Sequence, residues 1–157
     1  MSINTAAGSR FFIGTKAAAD SLADFKADTY IEVGEVEDLG EFGDQSNPVT
    51  FTALSNSRTR KFKGTKDAGD LALVLGFDKG DVGQQALIAA EADSGALDYN
   101  FKIVLNDGDA SATPAIPDTT VYFKAKVMSN RIQAGQADNV VRANASIAIN
   151  SAVLFDL

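Results

Sequence analysis

Cysteine, histidine and tryptophan are all missing from the 157 residues. Without cysteine there is no disulfide framework and no thiolate metal site. Without histidine the commonest general base and the commonest transition-metal ligand are gone, and serine–histidine and cysteine–histidine catalysis are excluded. Carboxylate or serine–lysine chemistry would need a spaced motif, and none is present. Without tryptophan, an exposed aromatic groove for sugars lacks its best building block. Proline is scarce, at three residues. No apolar run approaches the roughly 20 residues that cross a bilayer. The opening residues, Met1-Ser2-Ile3-Asn4-Thr5, lack the basic and apolar regions of a secretory leader. Cations are outnumbered, 14 against 21 acids, for a net charge of −7. That balance disfavours nucleic-acid binding by the chain as a whole. These absences point to a soluble chain made in a cytoplasm, not an enzyme, with no cofactor and no metal.

What is present is β-patterning. Arg10 to Gly14 reads as a short strand, and residues 15–28 as a helical turn or loop. Tyr30 to Leu39 is a strand whose alternation slips between Val33 and Val36, which predicts a bulge at Gly34 or Glu35. An acidic, turn-rich stretch runs from Gly40 to Pro48. Val49 to Thr52 and the basic run Arg58 to Lys63 are short strands. Leu71 to Phe77 is apolar on both faces, which predicts burial on both sides. Asp81 is placed to cap a helix over about 82–92. Leu97 to Leu105 alternates as a half-buried strand. Residues 106–118 are a long polar loop. Val121 to Met128 and Val141 to Ile149, joined by a turn at 134–138, predict an antiparallel hairpin over 119–151. No repeat or linker divides the chain. The class is mainly β, a single-domain sandwich or barrel with one flanking α-helix.

Several features have bland readings. Tyr99, Phe101, Phe123 and Phe62 fit a core better than a base-stacking platform. Gln84 and Gln85 fit a helix start packed near an interface. The glycine-rich turns lack the lysine-serine/threonine ending of a phosphate loop. Asp107-Gly108-Asp109 falls far short of a full calcium loop.

Three stretches taken in order resemble the lambda-type tail tube family of long-tailed bacteriophages: Gly8-Ser9-Arg10-Phe11-Phe12-Ile13-Gly14, Asp67-Ala68-Gly69-Asp70-Leu71-Ala72-Leu73, and Gly83-Gln84-Gln85-Ala86-Leu87. The resemblance covers roughly residues 8–150. It implies a tail-tube fold and a structural virion protein of the tail, assembled in the host cytoplasm. Six copies would form a ring, and rings would stack around a channel that passes double-stranded DNA without binding it specifically. The implied partners are further copies of the chain, a tape measure protein, and terminator and tip proteins. The lambda-type subunit carries an additional immunoglobulin-like domain, so residues 1–157 are expected to be a tube domain without that decoration. A related contractile-tail or type VI secretion tube is the alternative.

Charge placement refines this picture. Acids gather at Glu32, Glu35, Glu37, Asp38, Glu41 and Asp44, and bases follow at Arg58, Arg60, Lys61, Lys63 and Lys66. Glu37, Asp38, Glu41 and Asp44 against Arg58, Arg60, Lys61 and Lys63 are candidate contacts between subunits or rings. The polar face of the 119–151 hairpin offers Lys124, Lys126, Arg142, Asn144 and Ser146 as candidate lumen-lining residues. Three cations there would grip DNA, so nearby acids are expected to balance them, drawn from Asp98, Asp107, Asp109 and Asp138.

Overall fold

The alternating run Tyr99–Val104 is the centre of the architecture. In the computed structural model, which describes residues 3–157, this strand lies between β1 and β8 of one eight-stranded sheet. In chain order the elements are β1 (Arg10–Ile13), α1 (Leu22–Ala27), β2 (Ile31–Val33), β3 (Val36–Asp38), β4 (Gln45–Thr52), β5 (Thr59–Asp67), β6 (Asp70–Gly76), α2 (Val82–Ala92), β7 (Tyr99–Val104), β8 (Thr120–Gln133), β9 (Arg142–Ile149) and β10 (Leu154–Asp156). The sheet order is β2-β1-β7-β8-β9-β6-β3, with β10 added beside the first part of β8. Every pairing in it is antiparallel. The fold is mainly β, as the alternation predicts.

The phase slip near Gly34 has a larger meaning than a bulge. β2 and β3 stand at opposite ends of the sheet, yet only Gly34 and Glu35 separate them. The sheet must therefore curl until its two ends meet, which makes it barrel-like. Glu35 takes a positive φ of 59° at the seam, a conformation that costs a non-glycine residue about 1 kcal/mol or more.

Helix α2 holds the seam shut. Its N-cap Asp81 accepts from Gln84 N within the helix and from Gly34 N across the seam, at 3.1 and 2.8 Å. Gln84 is only 3% exposed. Its amide Nε2 donates to Gly34 O and Gly76 O, and its Oε1 accepts from Asp78 N. Four polar groups of the seam are thus satisfied by the cap and first turn of one helix, which a buried site requires. Gly83 lets the helix come this close: a Cβ there would sit 2.1 Å from Glu32 O. Gln84 stands at the helix start, as the sequence suggests, and acts there as an internal strut.

The core fills the inside of the curl. Phe11, Ile13, Val33, Leu71, Leu73, Leu75, Phe101, Ile103, Val121, Phe123, Ala143, Ala145 and Ile147 meet Leu87 and Ala90 of α2. Phe101 stacks on Phe123 with centroids 5.6 Å apart. A second, shorter helix covers part of the outside. Ser21 and Asp24 form a reciprocal capping box at the start of α1, which satisfies exposed N–H donors at its first turn. Phe25 is then buried against Tyr122.

Two expectations fail here. β6 is buried on one face only: Leu71, Leu73 and Leu75 point inward, while Ala72 is exposed and Val74 half-exposed. Small apolar residues on an outward face had mimicked two-sided burial. Phe62 is not in the core; it is 56% exposed on β5.

That exposure follows from topology. Among the described residues, β4 and β5 pair only with each other, in a separate two-stranded sheet. They form an arm inserted between β3 and β6, which are themselves antiparallel neighbours. An isolated two-stranded hairpin is marginally stable on its own in water.

Candidate functional site

The outward face of β8, β9, β6 and β3 is built from small and polar residues. The register aligns Ser129 with Ser146 and Ala72, and Arg131 with Asn144 and Val74. Inward-facing Ala143, Ala145 and Ile147 anchor β9 in the core, so the intervening residues must point out. Asn144 and Ser146, expected on one polar face, lie in the middle of this surface.

The expected cations are spread along it. Lys124 and Lys126 sit at one end, opposite Asn100 and Ala148. Arg142 sits at the other, opposite Gln133 and Gly76. Six residue steps along β9 take Arg142 to Ala148, about 20 Å. Lys124 lies apart from the central surface, beside the α1 and β10 side, with Ser151 Oγ accepting from its backbone N–H.

Each of these cations faces an acid of the same chain. Lys126 pairs with Asp98 and also donates to Ala96 O at 3.0 Å. Asn150 Nδ2 donates to the same Asp98 oxygen. Arg142 pairs with Glu37 at 2.6 Å, reaching across β6, which lies between β9 and β3. Lys124 lies 3.8 Å from Asp20. Asp98 was expected in this role. Asp20 and Glu37 were not, because 104 and 105 residues separate each from its partner in chain positions that local patterning does not connect. Asp107 and Asp109 do other work: Asp107 accepts from the backbone and hydroxyl of Thr119, and Asp109 from those of Ser111. Asp138 is in no ion pair among the described residues.

The four-stranded face has two unpaired borders. β7 stops pairing with β8 at Tyr99–Ala125. From Lys126 to Gln133, β8 is paired to β9 alone, and its other side has no strand partner among the described residues. At the far end, β3 pairs only with β6 among the described residues. Unpaired strand edges invite pairing with another chain.

A groove of about 320 Å³ runs beside the open part of β8, lined by Ala90, Glu91, Leu97, Tyr99, Val127 and Met128. Leu97 and Met128 are 65% and 61% exposed. At one side, Asp93 pairs with Lys16 and accepts from Gly95 N and the Tyr99 hydroxyl. The Lys16 hydrogen bond, helped by those two donors, holds its carboxyl down at about 2. Asp93 therefore remains a carboxylate well below neutral pH.

The other candidates divide between the arm and its root. Arg58, Arg60, Lys61 and Lys63 lie on the arm, and all are exposed. Glu41 and Asp44 lie on the connection leading into it. Asp38 accepts from Gly40 N at 2.8 Å, and Glu37 is already engaged by Arg142 within the chain.

No family model matches the sequence, and no curated protein matches it. Solved structures do match. The chain is similar to a component of the anti-feeding prophage baseplate, with a TM-score of 0.67 and 11% identity over 99% of this chain and 97% of that one. It is similar to a chain of the sheath/tube terminator structure of the extracellular contractile injection system PVC, with a TM-score of 0.67 and 12% identity over 100% and 99%. It is also similar to the SPP1 tail tube, with a TM-score of 0.59 and 13% identity over 94% of this chain and 76% of that one. At such identities the likeness establishes a shared fold, the one found in tail tubes and injection-system particles.

Proposed function

We propose that this chain is a tube subunit: copies join side by side into a ring, and rings stack around an axial channel. The observation that carries the reading is the four-stranded face β8-β9-β6-β3, small and polar in its middle and unpaired at both borders. Pairing β8 of one copy with β3 of the next would turn separate faces into one continuous lining. Closing the ring removes the exposed edges. The shared fold with a phage tail tube and with injection-system components supports the same reading. Residues 1–157 would then act as one tube domain. A ring of six, with tape measure, terminator and tip proteins as partners, is the form expected for a long-tailed phage.

DNA would be the cargo of such a channel. Asn144 and Ser146 offer it polar but uncharged contact, while Asp98 and Glu37 neutralise Lys126 and Arg142. Each cation freed to meet a phosphate would add to affinity and to its salt dependence, with a slope of about −0.9 per contact. Tubes of a double variant, Asp98→Asn with Glu37→Gln, are expected to retain short duplex DNA at low salt where wild-type tubes release it. Equal retention by both would show that these pairs do not govern passage.

Negative-stain microscopy and sedimentation of the purified protein test the reading directly. Rings or tubes with an axial hole are expected. A monomer that persists at high concentration would overturn it. The alternative is the tube of a contractile-tail or type VI particle; injection-system chains with TM-scores of 0.67 and 0.57 lie on either side of the tail tube's 0.59, so fold likeness does not choose between the two. A sheath gene beside this one would select that alternative, and a tape measure gene without a sheath would select the flexible tail.

A further inference from the structure

The β4–β5 arm gathers exposed rings and unmatched cations. Between Gln45 and Lys66 lie five of the chain's 14 cations and none of its 21 acids. Among the described residues, none of Arg58, Arg60, Lys61, Lys63 and Lys66 pairs with an acid. The register places Arg60 and Phe62 opposite Phe51 and Val49 on one face of the arm, and Lys61 and Lys63 opposite Thr50 and Pro48 on the other. Phe51 and Phe62 stand diagonally across the ladder, about 7–8 Å apart. Each is 56% exposed. Among the described residues, neither packs against another aromatic ring. Their ladder is fixed by the Thr52 and Thr59 hydroxyls, 3.0 Å apart, and by Asn47 Nδ2 donating to Thr65 Oγ1 at 3.0 Å.

Open rings interleaved with free cations are the two ingredients that hold a single-stranded nucleic acid. Every base has a π-face, so stacking requires no particular sequence, and the cations meet the phosphates. An acidic peptide would satisfy the cations alone. A duplex keeps its bases stacked on one another and offers the rings little. The net charge of −7 does not forbid such binding, because the acids lie elsewhere: the rest of the chain carries −12 against +5 on the arm. The eight residues of β4 carry the tip about 25 Å away from the root. At roughly 0.1 M salt, charges are screened over about 10 Å. The cations near the tip therefore act beyond most of the body's repulsion.

We infer that the arm is a binding site for single-stranded nucleic acid. Phe51 and Phe62 stack on bases, and Arg60 beside them adds a planar cation that can do the same. Arg58, Lys61, Lys63 and Lys66 meet phosphates. Lys61 and Lys63 start from the opposite face and reach round the edge of the narrow ribbon on their flexible stems. This surface is separate from the polar face β8-β9-β6-β3 and its proposed duplex cargo. A single copy suffices for the binding, so it does not depend on ring formation.

Fluorescence anisotropy with the full chain tests this, at protein concentrations below those at which it sediments as an assembly. The probes are labelled strands of roughly 12 nucleotides, one of deoxythymidine and one of uridine, a duplex of the same length, and a polyglutamate of similar charge. In roughly 50 mM salt a strand is expected to bind with a Kd of about 1–100 μM. The slope of log affinity against log salt should be about −3, for four phosphate contacts. Binding of either strand supports the inference, and the tighter of the two identifies the nucleic acid that the arm takes. The duplex and the polyglutamate are expected to bind at least about tenfold more weakly, since neither offers free bases. Phe51→Leu with Phe62→Leu should lose at least about tenfold in affinity with the slope unchanged. Phe51→Tyr with Phe62→Tyr keeps both π-faces and should bind like wild type. Lys61→Gln with Lys63→Gln should flatten the slope by about 1.4. All four positions are exposed, and unchanged circular dichroism and melting temperature verify each fold. No strand binding at low salt would overturn the inference. So would leucine and tyrosine variants that bind alike, or a duplex or polyglutamate held as tightly as a strand.

Discussion

Gly83→Ala is expected to cost about 3 kcal/mol of folding stability, against the direction that helix propensity alone predicts. Within a helix, alanine is favoured over glycine by about 1 kcal/mol. Gly83 lies in the first turn of α2, so a free helix would gain from the change. In the folded chain the new methyl would lie 2.1 Å from Glu32 O, 2.6 Å from Val33 Cα and 2.7 Å from Glu32 C. All three are backbone atoms of β2, which is paired to β1 and cannot swing aside like a side chain. The helix must retreat. Overpacking of this kind typically costs about 1–3 kcal/mol. Retreat also strains the hydrogen bonds from Gln84 Nε2 to Gly34 O and Gly76 O, and a buried polar group left unpaired adds about 1–3 kcal/mol. Urea unfolding with fitted midpoints measures the loss. The control is Glu91→Gly, on an exposed position of the same helix, which should lose only about 1 kcal/mol. A Gly83→Ala protein as stable as wild type would mean that the seam does not depend on close approach of the helix.

Leu97→Asp combined with Met128→Asp is expected to give a folded protein that no longer forms rings. Both side chains are mostly exposed, so the isolated subunit should change by no more than about 0.5 kcal/mol. Both line the groove beside the unpaired part of β8. A neighbour pairing there would cover them, and a covered, unpartnered carboxylate costs several kcal/mol, or about 100-fold or more in association. Charges at a strand border are also a natural way of blocking unwanted pairing. Sedimentation velocity against concentration gives the association constant, and circular dichroism checks the fold. Rings forming at wild-type concentrations would move the lateral contact away from β8.

Period-two alternation made most of the sheet legible. Leu97 to Leu105, Val121 to Val127 and Val141 to Ile149 each alternate, and each contains a strand with its apolar face inward, but Leu97 and Val141 fall outside those strands and are exposed. Asp81 announced α2 because a capping carboxylate before an apolar stretch is a local signal. The second helix was less visible: Asp24 takes the place usually held by Glu or Gln in a capping box, and the helix is only six residues long. The slip at Gly34 was visible as a change of face, but its cause was not. Local pattern cannot reveal that the chain steps from one end of a sheet to the other. The arm misled for the opposite reason. Val49, Phe51 and Phe62 are apolar, and apolar residues are normally read as core, yet their strands leave the body altogether. Of the candidate surfaces, residue type revealed which side chains were charged. Only the folded register revealed which of them were already matched at home.

The placement of the arm has a consequence for how such a protein can change over time. It enters from β3 and returns to β6, two strands that are neighbours in any case. Removing it in thought leaves an ordinary hairpin turn, and lengthening it hardly burdens the rest: each doubling of a flexible connection costs only about 0.6 kcal/mol. Core residues such as Leu73 and Ile147 take no part in it. Residues 45–67 can therefore drift in length and charge while the barrel stays constant, whereas Leu39, Phe42 and Ala68 at the root pack against the core. Two lineages could keep the same body while carrying arms that differ in length and charge.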